Sequence, residues 1–192
     1  MPQVAAVKTS YTPSVVAGAM IWAYQQVTGK APPATTSWLY PLAQSAIETA
    51  AWAGCYNNNA GNVTTANPNT DPWMYEPGNA LQFRSYNTIG DGCVSMIKWL
   101  SSHGTLAYAD SGDVSGYLSS LQAGCYAGCG VAYPDISGYV SKYQNISPTP
   151  YLNLQTWQVV AIASGILLGC GCIAYYIAEG ELPTPKRLAQ AL

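Results

Sequence analysis

The sequence predicts a mainly α domain with a small β-hairpin/loop region, followed by one C-terminal transmembrane helix. Three observations carry that expectation. Apolar residues recur at helical spacing in five stretches before residue 144. A segment rich in Asn, Pro, Thr and Gly interrupts them between residues 56 and 83, where helix propagation is disfavoured. The run 156–178 contains no charged residue. The expected organisation is a helical domain over 1–144, a linker over 145–155, a membrane helix over 156–178 and a short tail over 179–192.

Thr12-Pro13 reads as an N-cap with a first-turn proline, and the first helix is expected through Val27, closed by Gly29 and by Pro32-Pro33. In the second helix, Leu39, Leu42, Ala43, Ala46, Ile47, Ala50 and Ala51 fall on one face from Ser37 onward, with Pro41 in the first turn. Residues 56–83 suit an irregular loop with a short hairpin, the kind of segment on which function tends to reside. Helical patterning resumes with Ile89, Cys93, Met96, Ile97 and Leu100, stopped by Gly104. It continues with Val114, Tyr117, Leu118 and Leu121, stopped by Gly124, and then with Ile136, Tyr139, Val140 and Tyr143. Pro148 and Pro150 mark the linker. No internal repeat is visible.

The run Thr156 to Ala178, TWQVVAIASGILLGCGCIAYYIA, is long enough to span a bilayer. At roughly 1.5 Å per residue, some 20 residues cross a hydrocarbon core of about 30 Å. Lys142 and Glu179 are the nearest charges, and Trp157, Tyr175 and Tyr176 sit where interfacial rings are expected. Gly165-xxx-Gly169 is a weak signal for self-association of the membrane helix, and lipid-facing small residues account for it equally well. The alternative is a buried core helix, which seldom runs this long without a charge. Lys186 and Arg187 modestly favour an internal C-terminus. The start MPQVAAVKTSYTP shows no secretory signal, so targeting is expected to fall to the C-terminal helix.

Only 8% of the 192 residues are charged, the net charge is −2, and the seven Lys and Arg are scattered. No basic surface for nucleic acid is expected. Fifteen Tyr and six Trp stand against one Phe, a composition of amphipathic rings that serves polysaccharide clefts as well as ordinary cores. Four of six cysteines precede the apolar run, which suits two disulfides, Cys125 with Cys129 and Cys55 with Cys93. Buried reduced thiols are the alternative. With His103 as the single histidine and no second close cysteine pair, a structural zinc site is not expected, nor is any cofactor.

Glu48 is the acid of the second helix, and at helical spacing it shares a stripe with Ala51 and Trp52. Apolar company disfavours a carboxylate and favours a carboxyl able to donate a proton near neutrality, so Glu48 is a candidate general acid. A solvated helix face is the plainer alternative. Glu48 is followed by Trp52-Ala53-Gly54 and by Tyr56-Asn57-Asn58-Asn59-Ala60-Gly61-Asn62-Val63. Further on come Phe83-Arg84-Ser85-Tyr86, the stretch Asp113 to Leu121, Ala123-Gly124-Cys125-Tyr126-Ala127, and Tyr133.

That order resembles the lysozyme-like cell-wall hydrolases, and in particular the glucosaminidase family of peptidoglycan hydrolases (glycoside hydrolase family 73). The resemblance covers about residues 38 to 144. It implies a lysozyme-like fold in which Glu48 is the general acid and Tyr126 and Tyr133 are the two tyrosines near the sugar cleft. The segment between those tyrosines is one residue longer than the family's G-Y-A-T-D-P-x-Y element and lacks its Asp-Pro, so the loop is remodelled. A second carboxylate on the hairpin would be Asp71 or Glu76, acting as a base or stabilising an oxocarbenium-like state. In the related lytic transglycosylases one Glu suffices, first donating and then accepting a proton. Asn58, Asn59 and Asn62 could hydrogen-bond N-acetyl groups, with turn formation as the alternative, and Trp52 is a candidate sugar contact.

The expectation is therefore a glycosidase cleaving the β-1,4 glycan strands of peptidoglycan, held in a lipid bilayer through residues 156–178. A C-terminal anchor suits a virion-associated bacteriophage enzyme in a viral membrane, or one in the bacterial envelope, with the domain facing the wall. A structural or sugar-binding membrane protein that keeps the fold without turnover is the alternative.

Overall fold

The structure, a computed structural model, describes residues 3–64, 72–75, 78 and 81–152. Among these lie six helices: α1 (Pro13–Thr28), α2 (Thr36–Glu48), α3 (Ile89–Ser102), α4 (Thr105–Ser111), α5 (Val114–Ala123) and α6 (Ser137–Tyr143). Between α2 and α3 runs one antiparallel hairpin, β1 (Trp73–Tyr75) with β2 (Gln82–Arg84), in which Met74 pairs with Phe83. The mainly helical class with a small hairpin is thus as expected. The chain divides into two units, Met1–Tyr151 and Leu152–Leu192. Residues 156–178 lie outside the described residues, among which no helix is long and apolar enough to cross a membrane.

Helix α1 starts on Pro13 and stops at Gly29, which adopts the left-handed conformation common after a last helical turn. Thr12 has extended backbone but makes no capping bond through its side chain, so the proline's fixed φ supplies the start signal. Thr88 and Asp91 form a reciprocal capping box at the start of α3, and the Asp113 carboxylate accepts from Gly116 N at 2.8 Å to open α5. Helix α4 was not anticipated. Seven residues between Gly104 and Gly112 are too few to show a helical period.

Helix α2 is buried from Ser37 to Ala46, wider than the single stripe expected, because it runs through the middle of the domain against α1, α4 and α6. It ends at Glu48, earlier than the expected continuation through Ala51. Ala50, Ala51 and Trp52 all turn left-handed, with φ of 48°, 53° and 65°. Such backbone costs about 1–2 kcal/mol per non-glycine residue. A compact set of bonds offsets it. Ala51 N donates to Ala46 O at 2.6 Å, Gly54 N to Thr49 O at 2.8 Å, and Trp52 N to Thr49 Oγ1 at 3.0 Å. The Trp52 indole, 1% exposed, donates to Ser45 Oγ at 3.0 Å, and that hydroxyl donates to Ala60 O at 2.6 Å. The indole therefore ties the body of α2 to the turn and the turn to the Asn-rich loop.

The first part of the expected linker is a strap on the domain. Thr149 N donates to Ser14 O at 3.0 Å, and Gly90 N at the start of α3 donates to the Tyr151 hydroxyl at 2.9 Å. The Tyr151 ring lies 5.6 Å from that of Trp22. A Cβ at Gly18 would stand 1.8 Å from Thr149 O, so glycine there is what lets the strap lie flat on α1.

Of the two expected disulfides, Cys125–Cys129 is formed, with Cα atoms 4.4 Å apart. Cys55 and Cys93 are buried thiols, a correction to the pairing expected. The Cys55 sulfur accepts from Thr9 Oγ1 at 3.5 Å, and burial, with Cys55 nearby, pushes the Cys93 thiol well above its ordinary range. Both behave as small apolar core residues.

Candidate active site

Three tyrosines from the C-terminal half of the domain meet one face of α2. Gln44 and Glu48, one turn apart, present their side chains to the same side of that helix. Tyr117 on α5 donates to Gln44 Oε1 at 2.5 Å. Tyr133, ahead of α6, donates to Glu48 Oε1 at 2.5 Å. Tyr126 stands between them, its ring edge-to-face with that of Tyr133 at 6.0 Å, and its hydroxyl donates to Gly61 O at 2.6 Å. A Cβ on Gly61 would sit 2.6 Å from that hydroxyl and 3.0 Å from Met96, so the Ala60-Gly61-Asn62-Val63 element needs glycine for close approach.

Glu48 is half-buried and is the last residue of α2. The expected stripe with Ala51 and Trp52 is not formed, because the chain leaves the helix immediately after it. Its aromatic neighbour is instead Tyr133, 85 positions on in sequence. The Asn62 amide donates to the Glu48 carbonyl, which joins the Asn-rich loop to the helix end. Burial first, and then the Glu48 charge and hydrogen bond, push the Tyr133 hydroxyl far above its ordinary value. Tyr126 shifts the same way through burial and then Glu48, with the Gln44 amide acting in the other direction. Both hydroxyls therefore keep their protons across any working pH and serve as donors.

Asn57, Asn58 and Asn59 point inward and hold the loop. Asn57 accepts from Val7 N at 2.5 Å and donates to Ala5 O at 2.9 Å. Asn58 accepts from the Tyr11 hydroxyl and donates to Tyr86 O at 2.9 Å. Asn59 donates to Val63 O and Arg84 O at 2.9 and 3.1 Å and accepts from Val63 N at 2.8 Å. Asn58 and Asn59 are buried and spend these amide groups on the protein itself, so the turn-forming alternative describes their geometry. Trp52 is a core residue with its indole N–H satisfied. Asp71 and Glu76 lie outside the described residues.

A recess of about 280 Å³ is lined among others by Asn62, Thr64, Arg84, Trp99 and Tyr126, of which Asn62 also donates to the Glu48 carbonyl. Trp99 is held rigidly, stacked on His103 at 3.8 Å and edge-to-face with Tyr126 at 4.6 Å. The Cys125–Cys129 bridge closes the loop that carries Tyr126. Arg84 and Trp99 were not singled out as site residues on their own. Their pairing depends on the hairpin meeting α3, which no local pattern reports. No family model, curated protein or solved structure matches the chain. Among the described residues, no group of three or more His, Cys, Asp or Glu side chains could hold a metal ion.

The same burial makes the fold sensitive to alkali. Burial and the Asp110 carboxylate push Tyr24 from 10.0 up to about 12, and burial does the same to Tyr11. In the unfolded chain these hydroxyls ionise near their ordinary value, so the stabilisation is complete below pH about 10 and is lost as pH rises toward about 12. Tyrosinate absorbance and helical circular dichroism should therefore change together in that window. Tyrosines that all titrate freely near pH 10 with the helices intact would refute this packing.

Proposed function

We propose that the chain is a peptidoglycan glycosidase whose mainly helical domain has a lysozyme-like fold with Glu48 as its general acid. What supports the reading is the meeting of Glu48 with Tyr133, two residues that the family resemblance selects in separate motifs and that share a 2.5 Å hydrogen bond. Tyr133 donating to Oε1 holds the carboxyl in one orientation, and when Glu48 is protonated this leaves Oε2 to carry the acid proton. From there it passes to the glycosidic oxygen as the bond to the anomeric carbon breaks. The resulting carboxylate then takes a proton from the attacking group, either water or the sugar's own hydroxyl. Water gives hydrolysis, with Asp71 or Glu76 as the candidate second carboxylate. The sugar's own hydroxyl gives transglycosylation and an anhydro end. The apolar run 156–178 would hold this domain in a viral or bacterial membrane, facing the wall.

Mass spectrometry of wall fragments released by the full-length chain tests this reading. Reducing ends are expected from hydrolysis and anhydro-muramoyl ends from transglycosylation. Walls that bind the chain and yield neither product would make it a sugar-binding membrane protein instead.

A further inference from the structure

The Cys125–Cys129 bridge encloses one of the tyrosines that hold the Glu48 region and leads to the other. Tyr126 lies inside the bridged loop, and Tyr133 lies beyond it. Between them, residues 127–132 are all exposed and belong to no helix or strand. The backbone bonds in this stretch are local, from Gly128 N to Cys125 O at 3.0 Å and from Val131 N to Gly128 O at 3.2 Å. Packing therefore holds the two rings, while the chain that joins them is held by the bridge. On the entry side the fit is close, since a Cβ on Gly124 would stand 2.6 Å from the Trp99 ring. Cys125 follows with φ of 57°, a left-handed conformation that a residue with a Cβ seldom keeps unaided. Fixing Cys125 fixes the direction in which Tyr126, next in sequence, enters the domain.

Both holds on Glu48 run through Tyr126. Its hydroxyl donates to Gly61 O at 2.6 Å, beside Asn62, whose amide donates to the Glu48 carbonyl. Its ring meets that of Tyr133 edge-to-face, and Tyr133 donates to the Glu48 carboxyl. The bridge is also within reach of solvent. Cys129 is exposed and Cys125 half-buried, whereas Cys55 and Cys93 are buried, so among the described cysteines the bridge alone is open to a dissolved thiol.

We propose that Cys125–Cys129 is a redox latch on the candidate active site, closed and competent in oxidising surroundings and open and slack in thiol-rich ones. To open it, a thiolate attacks Cys129 Sγ, the S–S bond breaks, and Cys125 Sγ leaves as a thiolate and takes a proton. A second thiol resolves the mixed disulfide. The bridge gains two electrons and two protons, and two reductant thiols become one disulfide. A small-molecule or protein disulfide takes those electrons back when the latch closes. The link joins residues only four apart, which constrains the unfolded chain little, so opening it loosens the loop and leaves the helices folded. This latch rests on the glycosidase reading and adds its regulation. Thiols of the cytosol keep such bridges open and export lets them close, so the chain is slack where it is made and competent at the wall.

The test compares full-length chain before and after dithiothreitol, with alkylation and peptide mass spectrometry confirming that Cys125 and Cys129 have been reduced. Hydrogen exchange should rise in the segments 58–64 and 121–133 and stay unchanged in α1 and α3, with helical circular dichroism retained. Wall cleavage should fall by about 10-fold or more, the scale of a displaced positioning group, and return on reoxidation with oxidised glutathione. The double variant Cys125→Ser with Cys129→Ser should behave as the reduced chain does and ignore both reagents. Unchanged exchange after confirmed reduction overturns the latch, as does a cleavage rate that reduction leaves intact. Loss of the helical signal overturns it too, making the bridge a brace of the whole domain. A chain that cleaves no wall in either state loses the glycosidase reading, and the exchange comparison then decides the latch by itself.

Discussion

Glu48→Gln is expected to lower wall-cleaving activity by at least about 10²-fold, the scale of losing a positioned general acid. The amide keeps the shape of the side chain and can still accept from the Tyr133 hydroxyl, whose bond to Oε1 is 2.5 Å in the parent. What it cannot do is release a proton. Folding should therefore be preserved, with a melting temperature close to the parent's. The two readouts decide between explanations. A rate lost along with the fold would point to a structural role for the helix end, whereas a parental rate with an intact fold would remove Glu48 from the chemistry altogether. Tyr133→Phe is the companion measurement. It leaves the acid in place and removes the group that orients it, so it should reduce activity less than Glu48→Gln does.

Trp52→Ala carries the largest expected effect on stability, about 3–5 kcal/mol, the range for emptying a buried tryptophan site. The side chain is 1% exposed, packs its ring 5.7 Å from that of Tyr143 on α6, and donates to Ser45 Oγ. Its loss would leave a cavity between α2 and α6 and release the left-handed turn at Ala50 and Ala51. For a domain of this size the melting temperature should fall by on the order of 10 °C. Chemical denaturation monitored by circular dichroism measures it. A variant of parental stability that instead binds glycan more weakly would return Trp52 to the role of a sugar contact.

These two residues also mark where local pattern stops being informative. Along α2 the apolar spacing reported the helix and its buried side correctly, since a helix repeats over a few residues and every step of that repeat is visible in the chain. The end of the helix was misplaced because Ala50 and Ala51 continue the apolar pattern and have good helix propensity. The turn there is imposed by Trp52 reaching back to Ser45 and by Ser45 reaching across to Ala60. Tertiary bonds outweighed propensity. The asparagines of the loop were open to two readings for a related reason. Their amides can bind a sugar or brace a loop, and only the positions of Val7, Tyr86 and Val63 around them determine which groups they reach.

By itself, the sequence determined the helical class, the first-turn proline at Pro13, the hairpin region and the short disulfide across Cys125 and Cys129. All of these depend on residues close together in the chain, where spacing and backbone preference act directly. Tertiary structure alone decided that Tyr117, Tyr126 and Tyr133 converge on α2, that Cys55 and Cys93 stay thiols, and that residues through Tyr151 strap onto α1 and α3. It also brought Arg84 from the hairpin and Trp99 from α3 into one recess. Those meetings join residues far apart in sequence. Their energy comes from burying rings and matching donors to acceptors across elements, which leaves no periodic trace in any one segment.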